Sequence, residues 1–257
     1  MTSPSPPRRR WLRFSLRSLM LLVLVLAVSL GWTLHKVREQ GVAVAALEKM
    51  GCQFKYALYE EPTILVWLRQ LLGEDDYCNV SEVYSPSEKI TDDELVHLQK
   101  LTRLRALDLS YNRVSDAGLV HLQGLTQLEE LSLNETQVTD AGLVHLQRLT
   151  QLQYLDLDKT QVGDAGLVRL RGLTQLQWLH LNGTRVSDAG LVHLQGLTEL
   201  QELVLSGTQV TDAGLVHLQG LTQLQGLWLG ETQVTNAGVQ QLKKALPNCK
   251  NCTIASP

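Results

Sequence analysis

The sequence predicts an α/β solenoid, a curved stack of repeats with parallel strands on its concave face and short helices on its convex face. A transmembrane helix and a small α/β cap are predicted to precede the stack. Hydrophobic residues make up 44% of the 257 residues, but aromatic residues only 5%. A core with so few large rings must be assembled from many similar Leu- and Val-rich pieces, and a 24-residue period in the sequence provides them.

The leucine repeat is the clearest pattern in the chain. The frame LxxLxLxx(N/T)xVx(D/N)AG(L/V)xxL occurs in six consecutive copies with a period of 24 residues. No single copy can bury its own leucines, so stability must come from the stacking of neighbouring copies. The copies open at Leu104, Leu128, Leu152, Leu176, Leu200 and Leu224.

Each copy combines a strand pattern with a helix pattern. In the LxLxL segment the leucines point into the core and the intervening residues point away from it. Ser115 followed by Asp116 suits a helix start, because the hydroxyl caps free N–H groups and the carboxylate complements the helix dipole. The small Ala117 and Gly118 let neighbouring helices approach. Strands stack about 4.8 Å apart whereas helices need about 8–10 Å, so the stack must curve.

Incomplete copies lie at both ends, and the repeats as a whole are predicted to cover residues 80–248. Residues 249–257 are predicted to form a capping strand and tail. The CxxC spacing in this tail also fits a redox pair or half of a zinc site, but burial in the core is the favoured interpretation because no second CxxC occurs. Pro247 shifts the last frame by one residue and so places on leucine positions Cys249, Cys252 and Ile254.

The N-terminal segment predicts a membrane anchor. Residues 1–17 contain five arginines and no acidic residue, and residues 18–34 form an uncharged run of mostly Leu and Val. Such a run is at the short end of what spans a bilayer, roughly 17–25 residues. The positive-inside rule keeps the N-terminus in the cytoplasm and places the repeats on the exported side, in a periplasm-like space or at the cell surface. The alternative is a signal peptide cleaved after Ser29, which would export the same body.

Residues 35–79 are predicted to form the N-terminal cap, which covers the exposed end of the repeat core. A disulfide between Cys52 and Cys78 would suit an oxidising compartment. The predicted elements of the cap are a helix over Lys36–Met50 ended by Gly51, a strand over Gln53–Tyr59 and a second helix over Thr63–Leu72.

The frame (T/S)DAGLxxLxxLTxLxxLxLxxTxV resembles the leucine-rich-repeat superfamily, in the variety with short helices on the convex side. The Arg-rich start RRRWLRFSLRSLM and the segment WLRQLLGEDDY at 67–77 are similar to the exported, singly membrane-anchored repeat proteins of planctomycete-type bacteria. The resemblance to repeats covers about residues 80–254. It implies a protein-interaction scaffold and supplies no ligand.

The residues between the strand leucines are the candidate ligand-binding positions. The framework hardly changes between copies, whereas these positions vary and include aromatic and acidic side chains. Exposed Tyr and Trp are typical binding anchors, and acidic neighbours suit a basic, partly apolar peptide or protein, or a sugar. The alternative is drift on an unused surface. The candidate positions are Glu130, Tyr154, Asp156, Asp158, Trp178, His180, Glu202 and Trp228.

Charge and motif content argue against nucleic-acid binding, metal binding and catalysis. Residues 35–257 hold 18 basic and 26 acidic residues, and this net charge of −8 repels phosphate backbones. No P-loop, GxGxxG or nucleophile-elbow context occurs, so no cofactor is expected and the protein is predicted not to be an enzyme. A recurring histidine column is interpreted as a solvated face, because helices about 8–10 Å apart are too distant for two imidazoles to share one metal. The column contains His97, His121, His145, His193 and His217.

The predicted function is therefore a scaffold that binds a protein or peptide on the concave face. A carbohydrate would use the same face and the same aromatic side chains. The alternative is a structural or adhesive envelope component without a discrete ligand.

Overall fold

The computed structural model describes residues 16–56 and 80–254. The chain divides into two compact units, Met1–Glu39 and Gln40–Pro257. The cap helix predicted over Thr63–Leu72, and Cys78, lie outside the described residues.

Helix α1 runs without interruption from Leu16 to Lys49. The described side chains between residues 19 and 32 are exposed. Within the part of the chain that the structure describes, α1 is the one helix that is long and apolar enough to cross a membrane. A signal sequence satisfies the same criteria of length and composition, so both interpretations of this segment stand.

The sequence predicted two helices here, one over residues 18–34 and one over Lys36–Met50, but the structure has one. No proline interrupts the segment, and an isolated glycine such as Gly31 costs a helix only about 1 kcal/mol. The helix therefore continues to the predicted stop. Gly51 takes the left-handed conformation, with a φ of 91°, and its N–H donates to the Glu48 carbonyl at 2.8 Å.

The second unit contains a nine-stranded sheet whose strands follow one another in sequence order. β1 pairs with β2 in antiparallel orientation, and each later pair is parallel. The parallel arrangement follows from the repeat, because each 24-residue unit returns the chain to the same side. The strands are β1 Gln53–Tyr56, β2 Val80–Tyr84, β3 Ala106–Asp108, β4 Glu130–Ser132, β5 Tyr154–Asp156, β6 Trp178–His180, β7 Glu202–Val204, β8 Gly226–Trp228 and β9 Asn251–Thr253.

The return segments between the strands contain short helical turns, most of them 3-10. The sequence predicted helices there without specifying their type. Segments of about five residues accommodate little more than one turn, and the tighter i to i+3 pattern is typical of such short pieces. The 3-10 turns are Glu94–Lys100, Gly118–Leu122, Gly142–Leu146, Val168–Leu170, Val192–Leu194 and Gly214–Leu218; the α-helical turns are Asp164–Leu167 and Asp188–Leu191; and a longer C-terminal helix covers Asn236–Ala245.

The core is a continuous spine of leucines. The central leucine of each strand pairs in register with that of the next, as Leu131 does with Leu155 and Leu155 with Leu179. All three are 0% exposed. The leucines of the return segments, such as Leu143 and Leu146, are equally buried. The predicted burial of the leucines is confirmed in the described repeats; most intervening residues are at least partly exposed, but Ala106, Asp156, Val204 and Ser206 are buried.

The aspartate of each DAG motif has a role that the sequence analysis missed. Asp116 Oδ1 accepts a hydrogen bond from Thr139 N at 2.8 Å, and Asp116 Oδ2 accepts one from Thr139 Oγ1 at 2.6 Å. Thr139 belongs to the next repeat, so the carboxylate also ties one repeat to its neighbour. Equivalent bonds join Asp92 to Ser115, Asp164 to Ser187, Asp188 to Thr211 and Asp212 to Thr235.

The glycine of the same motif is required by that carboxylate. A Cβ atom added at Gly142 would lie 2.4 Å from Asp116 Oδ1 and 3.0 Å from Leu119 Cδ1. By contrast, a Cβ atom at Gly196 would meet nothing within 4 Å. The aspartate of one repeat and the glycine of the next thus form a single packing unit.

The cysteines differ from the sequence-based expectations in how they are bonded. Cys249 and Cys252 are buried as predicted, but they are also joined by a disulfide. Cys52 is a free thiol in the core cluster, where burial raises its pKa to about 11; Cys78, the partner that the sequence allowed for it, lies outside the described residues. The prediction that Ile254 fills a core leucine position is wrong, because β9 ends at Thr253 and Ile254 is 39% exposed.

Replacing Leu155 with Ala is expected to lower the free energy of unfolding by about 2–5 kcal/mol, because it leaves a cavity in the centre of the spine. Chemical denaturation of the full chain in detergent micelles, followed by circular dichroism, measures this change. Val168→Ala, at a position that is 38% exposed, is the control and should change the free energy by less than about 0.5 kcal/mol. Equal losses in the two variants would contradict the leucine-spine account.

Replacing Gly142 with Ala is expected to destabilise the fold by about 1–3 kcal/mol, because the new Cβ overlaps the Asp116 carboxylate. The matched variant Gly196→Ala places the same methyl group in open space and should be neutral or slightly stabilising. Thermal unfolding of both variants provides the comparison. A loss at Gly196 as large as the loss at Gly142 would show that helix geometry, and not contact with the preceding repeat, determines the effect.

Candidate functional site

One face of the sheet consists of the side chains that lie between the core leucines. We call it the strand face; the sequence predicts that it is concave. Neighbouring positions in it are paired in register, as Tyr154 is with Trp178 and Asp156 with His180. Its three columns are Glu82, Ala106, Glu130, Tyr154, Trp178, Glu202 and Gly226; Tyr84, Asp108, Ser132, Asp156, His180, Val204 and Trp228; and Ser110, Asn134, Asp158, Asn182, Ser206 and Gly230.

Tyr154, His180 and Glu202 form a chain of contacts across β5, β6 and β7. The rings of Tyr154 and His180 meet edge to face, with their centroids 5.3 Å apart. The Tyr154 hydroxyl lies 3.5 Å from His180 Nδ1, and His180 Nε2 lies 3.4 Å from Glu202 Oε1. The structure thus brings three of the predicted site residues together.

Two carboxylates lie beside this chain of contacts. Asp156 is only 8% exposed; its Oδ1 accepts a hydrogen bond from Asp158 N at 2.9 Å, and its Oδ2 accepts one from Ser132 Oγ at 3.3 Å. Asp158 Oδ1 accepts a hydrogen bond from Asn182 N at 2.6 Å. Burial, together with the charge of Asp156, raises the pKa of Asp158 above its ordinary value. Ionisation of Asp158 is therefore unfavourable for the folded state.

The same negative charges act on Tyr154. Burial raises the pKa of its hydroxyl, and the carboxylates of Asp156, Asp158, Asp108 and Glu202 raise it further. The hydroxyl therefore remains protonated at physiological pH and can donate a hydrogen bond to a ligand. The influence of four carboxylates on one phenol shows that negative charge is concentrated at this part of the strand face.

Glu130, Trp178 and Trp228 are the remaining predicted site residues. Glu130 is exposed, and Trp178 is half-buried on the strand next to Tyr154. Trp228 folds over Gly226, where an added Cβ atom would lie 2.5 Å from its Cη2 and Cζ3 atoms. The sequence analysis expected exposed rings in one aromatic patch; the structure instead has half-buried rings, and Trp228 packs on the backbone two strands away from His180.

The sequence analysis missed the part of the face on the other side of Tyr154. The hydroxyls of Ser110 and Ser132 lie 2.7 Å apart, and Asp108 Oδ1 accepts a hydrogen bond from Ser110 N at 2.9 Å. Because Asp108 and Ser132 share a column with Asp156, the repeat register could have identified them. They belong to a concavity of about 300 Å³ lined by Tyr84, Ala106, Leu107, Asp108, Ser110, Glu130, Ser132, Tyr154 and Asp156.

Within the described ranges, one group of side chains has the spacing of a metal site. The donor atoms of Asp156, Asp158 and His180 all lie within 4.8 Å of one another. The histidine column of the return segments is different, because three of its members contact Gln or Arg side chains of the preceding repeat. These contacts join His145 to Gln123, His193 to Arg171 and His217 to Gln195.

Comparison with known proteins identifies the repeat. Residues 102–162 and residues 197–218 match family models, both described as leucine-rich repeat. The fold is a leucine-rich-repeat solenoid. No curated protein sequence matches the chain significantly.

Two solved structures from Listeria monocytogenes resemble this solenoid. An internalin (inlF) is 24% identical, with a TM-score of 0.52, over 63% of this chain and 51% of its own. Internalin C2 (inlC2) is 22% identical, with a TM-score of 0.52, over 77% of this chain and 94% of its own. The chain thus spans about half the length of the first internalin and nearly all of the second. At these identities the similarity concerns the fold.

Replacing Asp158 with Asn is expected to raise the midpoint of thermal unfolding at pH 7. The pKa of Asp158 is higher in the folded state than in the unfolded state. The free energy of unfolding therefore falls as the pH rises from the unfolded-state pKa to the folded-state pKa. Asparagine removes the charge and keeps an oxygen that accepts from Asn182 N. The gain should therefore be present at neutral pH and disappear below the unfolded-state pKa, about 3.9.

Thermal melts of the full chain in micelles between pH 3 and pH 8 provide this measurement. Asp212→Asn is a control of opposite sign, because hydrogen bonds from Thr235 lower the pKa of Asp212. That variant should lose stability at neutral pH and match the unmodified chain in acid. If the melting temperature of Asp158→Asn varies with pH as that of the unmodified chain does, the pKa of Asp158 is not raised in the folded state.

Proposed function

We propose that this chain is a non-catalytic, membrane-anchored scaffold that binds a protein or peptide on its strand face. One observation carries the proposal. The framework leucines are repeated and buried in every copy, whereas the strand-face columns vary and gather aromatic and charged side chains on β5 to β7. A constant interior beneath a variable face is the arrangement by which repeat proteins build extended binding surfaces.

The chemistry of the strand face favours a macromolecular partner that is basic and partly apolar. Tyr154 and Trp178 are half-buried and offer rigid apolar surface, the property that makes such residues energetic centres of interfaces. Asp156, Asp158 and Glu202 surround them with negative charge. These groups extend across three strands, which suits a partner larger than a small molecule.

We assign the apolar part of α1 to a membrane span, with residues 1–17 in the cytoplasm and the repeats on the exported side. The five arginines before the span and the exposed apolar side chains between residues 19 and 32 support this orientation. A disulfide such as that between Cys249 and Cys252 persists in oxidising compartments. Cleavage after Ser29 would leave the same strand face on the exported side.

Site-specific photo-crosslinking in cells tests the proposal. A benzoyl-phenylalanine is placed at Glu130 on the strand face or at Val216, a return-segment position that is 53% exposed. The Glu130 probe is expected to give one discrete, stoichiometric protein adduct, identified by mass spectrometry, and the Val216 probe is not. Equal labelling from both positions would contradict binding by the strand face.

Two other outcomes would favour the alternatives. Loss of envelope integrity in cells that lack the protein, without a discrete adduct, would favour a structural component. A glycan adduct would identify a carbohydrate ligand.

The double change Tyr154→Ala with Trp178→Ala is expected to reduce the yield of this adduct at least tenfold, because it removes both aromatic anchors. The circular dichroism spectrum should be unchanged, since neither residue belongs to the leucine spine. Tyr111→Asn is the matched control, because it removes an aromatic ring that is 48% exposed and lies outside the strand face. Asparagine tolerates the positive φ that the backbone has at position 111. An adduct that persists in the double variant would refute the site.

A further inference from the structure

The charge of the strand face is not balanced by basic residues. Its columns contain six carboxylates and no Lys or Arg. Glu82 pairs with Lys55 at one end of the sheet, and Glu202 contacts His180. Two basic side chains beside the face form ion pairs with other residues, Arg105 with Glu129 and Lys159 with Glu135. Among the described residues, no Lys or Arg forms an ion pair with Asp108, Glu130, Asp156, Asp158 or Glu202.

Three of these acidic sites lie two strands apart, although Glu130 lies between two of them on β4. Asp108 lies on β3, Asp156 lies on β5 with Asp158 two residues further along the chain, and Glu202 lies on β7 in the neighbouring column of the strand face. Neighbouring strands are about 4.8 Å apart, so a step of two strands is about 9.6 Å. A polyproline II segment rises about 3.1 Å per residue with three residues per turn, so every third side chain points the same way after about 9.3 Å. The two-strand step from Asp108 to Asp156, and from Asp156 to the strand of Glu202, therefore matches the period of such a segment lying across the strands.

The central position has the groups that select a guanidinium. The carboxylate oxygens of Asp156 and Asp158 lie within 4.8 Å of each other, and a planar guanidinium can donate several hydrogen bonds to such a pair. Tyr154 and Trp178 lie on adjacent strands beside these carboxylates. Arginine stacks on aromatic rings, whereas the ammonium group of lysine is a more strongly hydrated point charge. Burial and repulsion from Asp156 raise the pKa of Asp158, and a cation bound here would offset the repulsion.

We propose that the strand face recognises an extended cationic segment of its partner that carries arginine at every third residue. The central arginine binds Asp156 and Asp158 beside Tyr154 and Trp178, and the arginines on either side reach Asp108 and Glu202. This inference rests on the proposed function and adds the chemistry and spacing of the partner.

A fluorescein-labelled peptide with three arginines separated by pairs of prolines is the probe. Its binding to the full chain in detergent micelles is measured by fluorescence anisotropy at low salt. The same peptide with citrulline, the uncharged isostere of arginine, should bind at least tenfold more weakly. Peptides with lysine in place of arginine, or with the three arginines adjacent, should bind several-fold more weakly. Equal affinity for the spaced and adjacent peptides would overturn the spacing, and equal affinity for the citrulline peptide would overturn the charge recognition.

Variants locate the binding site. Asp156→Asn with Asp158→Asn should weaken peptide binding at least tenfold, while Glu48→Gln with Glu199→Gln, which removes two exposed charges outside the strand face, should leave it unchanged. Glu202→Gln should weaken binding several-fold. It removes only the charge of a half-buried side chain, so it tests the site even if the double aspartate variant does not fold. Equal weakening by the Glu48 and Glu199 pair would reduce the effect to overall charge and overturn the proposal.

Two further results separate the inference from its rivals. Tight binding of calcium or zinc ions alone to Asp156, Asp158 and His180, with no binding of the arginine peptide, would overturn the proposal in favour of a metal site. If the Glu130 probe captures a partner whose yield is unchanged by the double aspartate variant, this inference fails while the proposed function stands. If the spaced peptide binds as expected but no partner is captured in cells, the proposed function fails while the recognition chemistry stands.

Discussion

Burial of leucine side chains between neighbouring 24-residue units is the interaction on which the rest of the structure depends. Leu131, Leu155 and Leu179 are each 0% exposed because the next copy covers them, and one copy alone has no second layer to do so. The spine uses alternate side chains of each strand. The other strand side chains have no part in packing the core, which is why the strand face can carry Trp, His, Asp or Gly at equivalent positions without a change of fold.

Polar contacts between repeats add specificity that leucines do not provide, since a row of similar apolar side chains tolerates small shifts in register. The Asp116 carboxylate binds both the backbone and the hydroxyl of Thr139 and fills the space above Gly142, so only one relative placement of two repeats satisfies all three groups. The link is weaker after Asp140, where Gly163 offers its N–H but has no hydroxyl. That weaker link joins the repeats that contribute β4 and β5 to the site.

The sequence was sufficient for the period, the strand register and the membership of the strand-face columns, because stacking couples each unit only to its neighbours. It was insufficient where a contact requires two copies to be considered together. The bonds of Asp116 to the next repeat and the Tyr154–His180 ring contact join residues of different copies. The packing of Trp228 on Gly226 lies within one strand and depends on the rotamer of the tryptophan, which the sequence does not specify. Helix α1 shows a different limit: a change of polarity near residue 35 is not a helix stop unless a residue such as Gly51 ends the helix.

The carboxylates of the strand face and those of the return segments have different roles. Burial and the charge of Asp156 raise the pKa of Asp158, and the carboxylates of Asp156, Asp158, Asp108 and Glu202 together raise the pKa of Tyr154, so the ionised form of Asp158 does not stabilise the fold. The strand-face carboxylates are tolerated because the leucine spine beneath them is apolar and its free energy does not depend on their ionisation. Aspartates that serve the fold, such as Asp116 and Asp164, lie instead in the return segments and accept two hydrogen bonds each from the next repeat. Acidic residues without such a structural role are concentrated where a cationic partner would gain most from them.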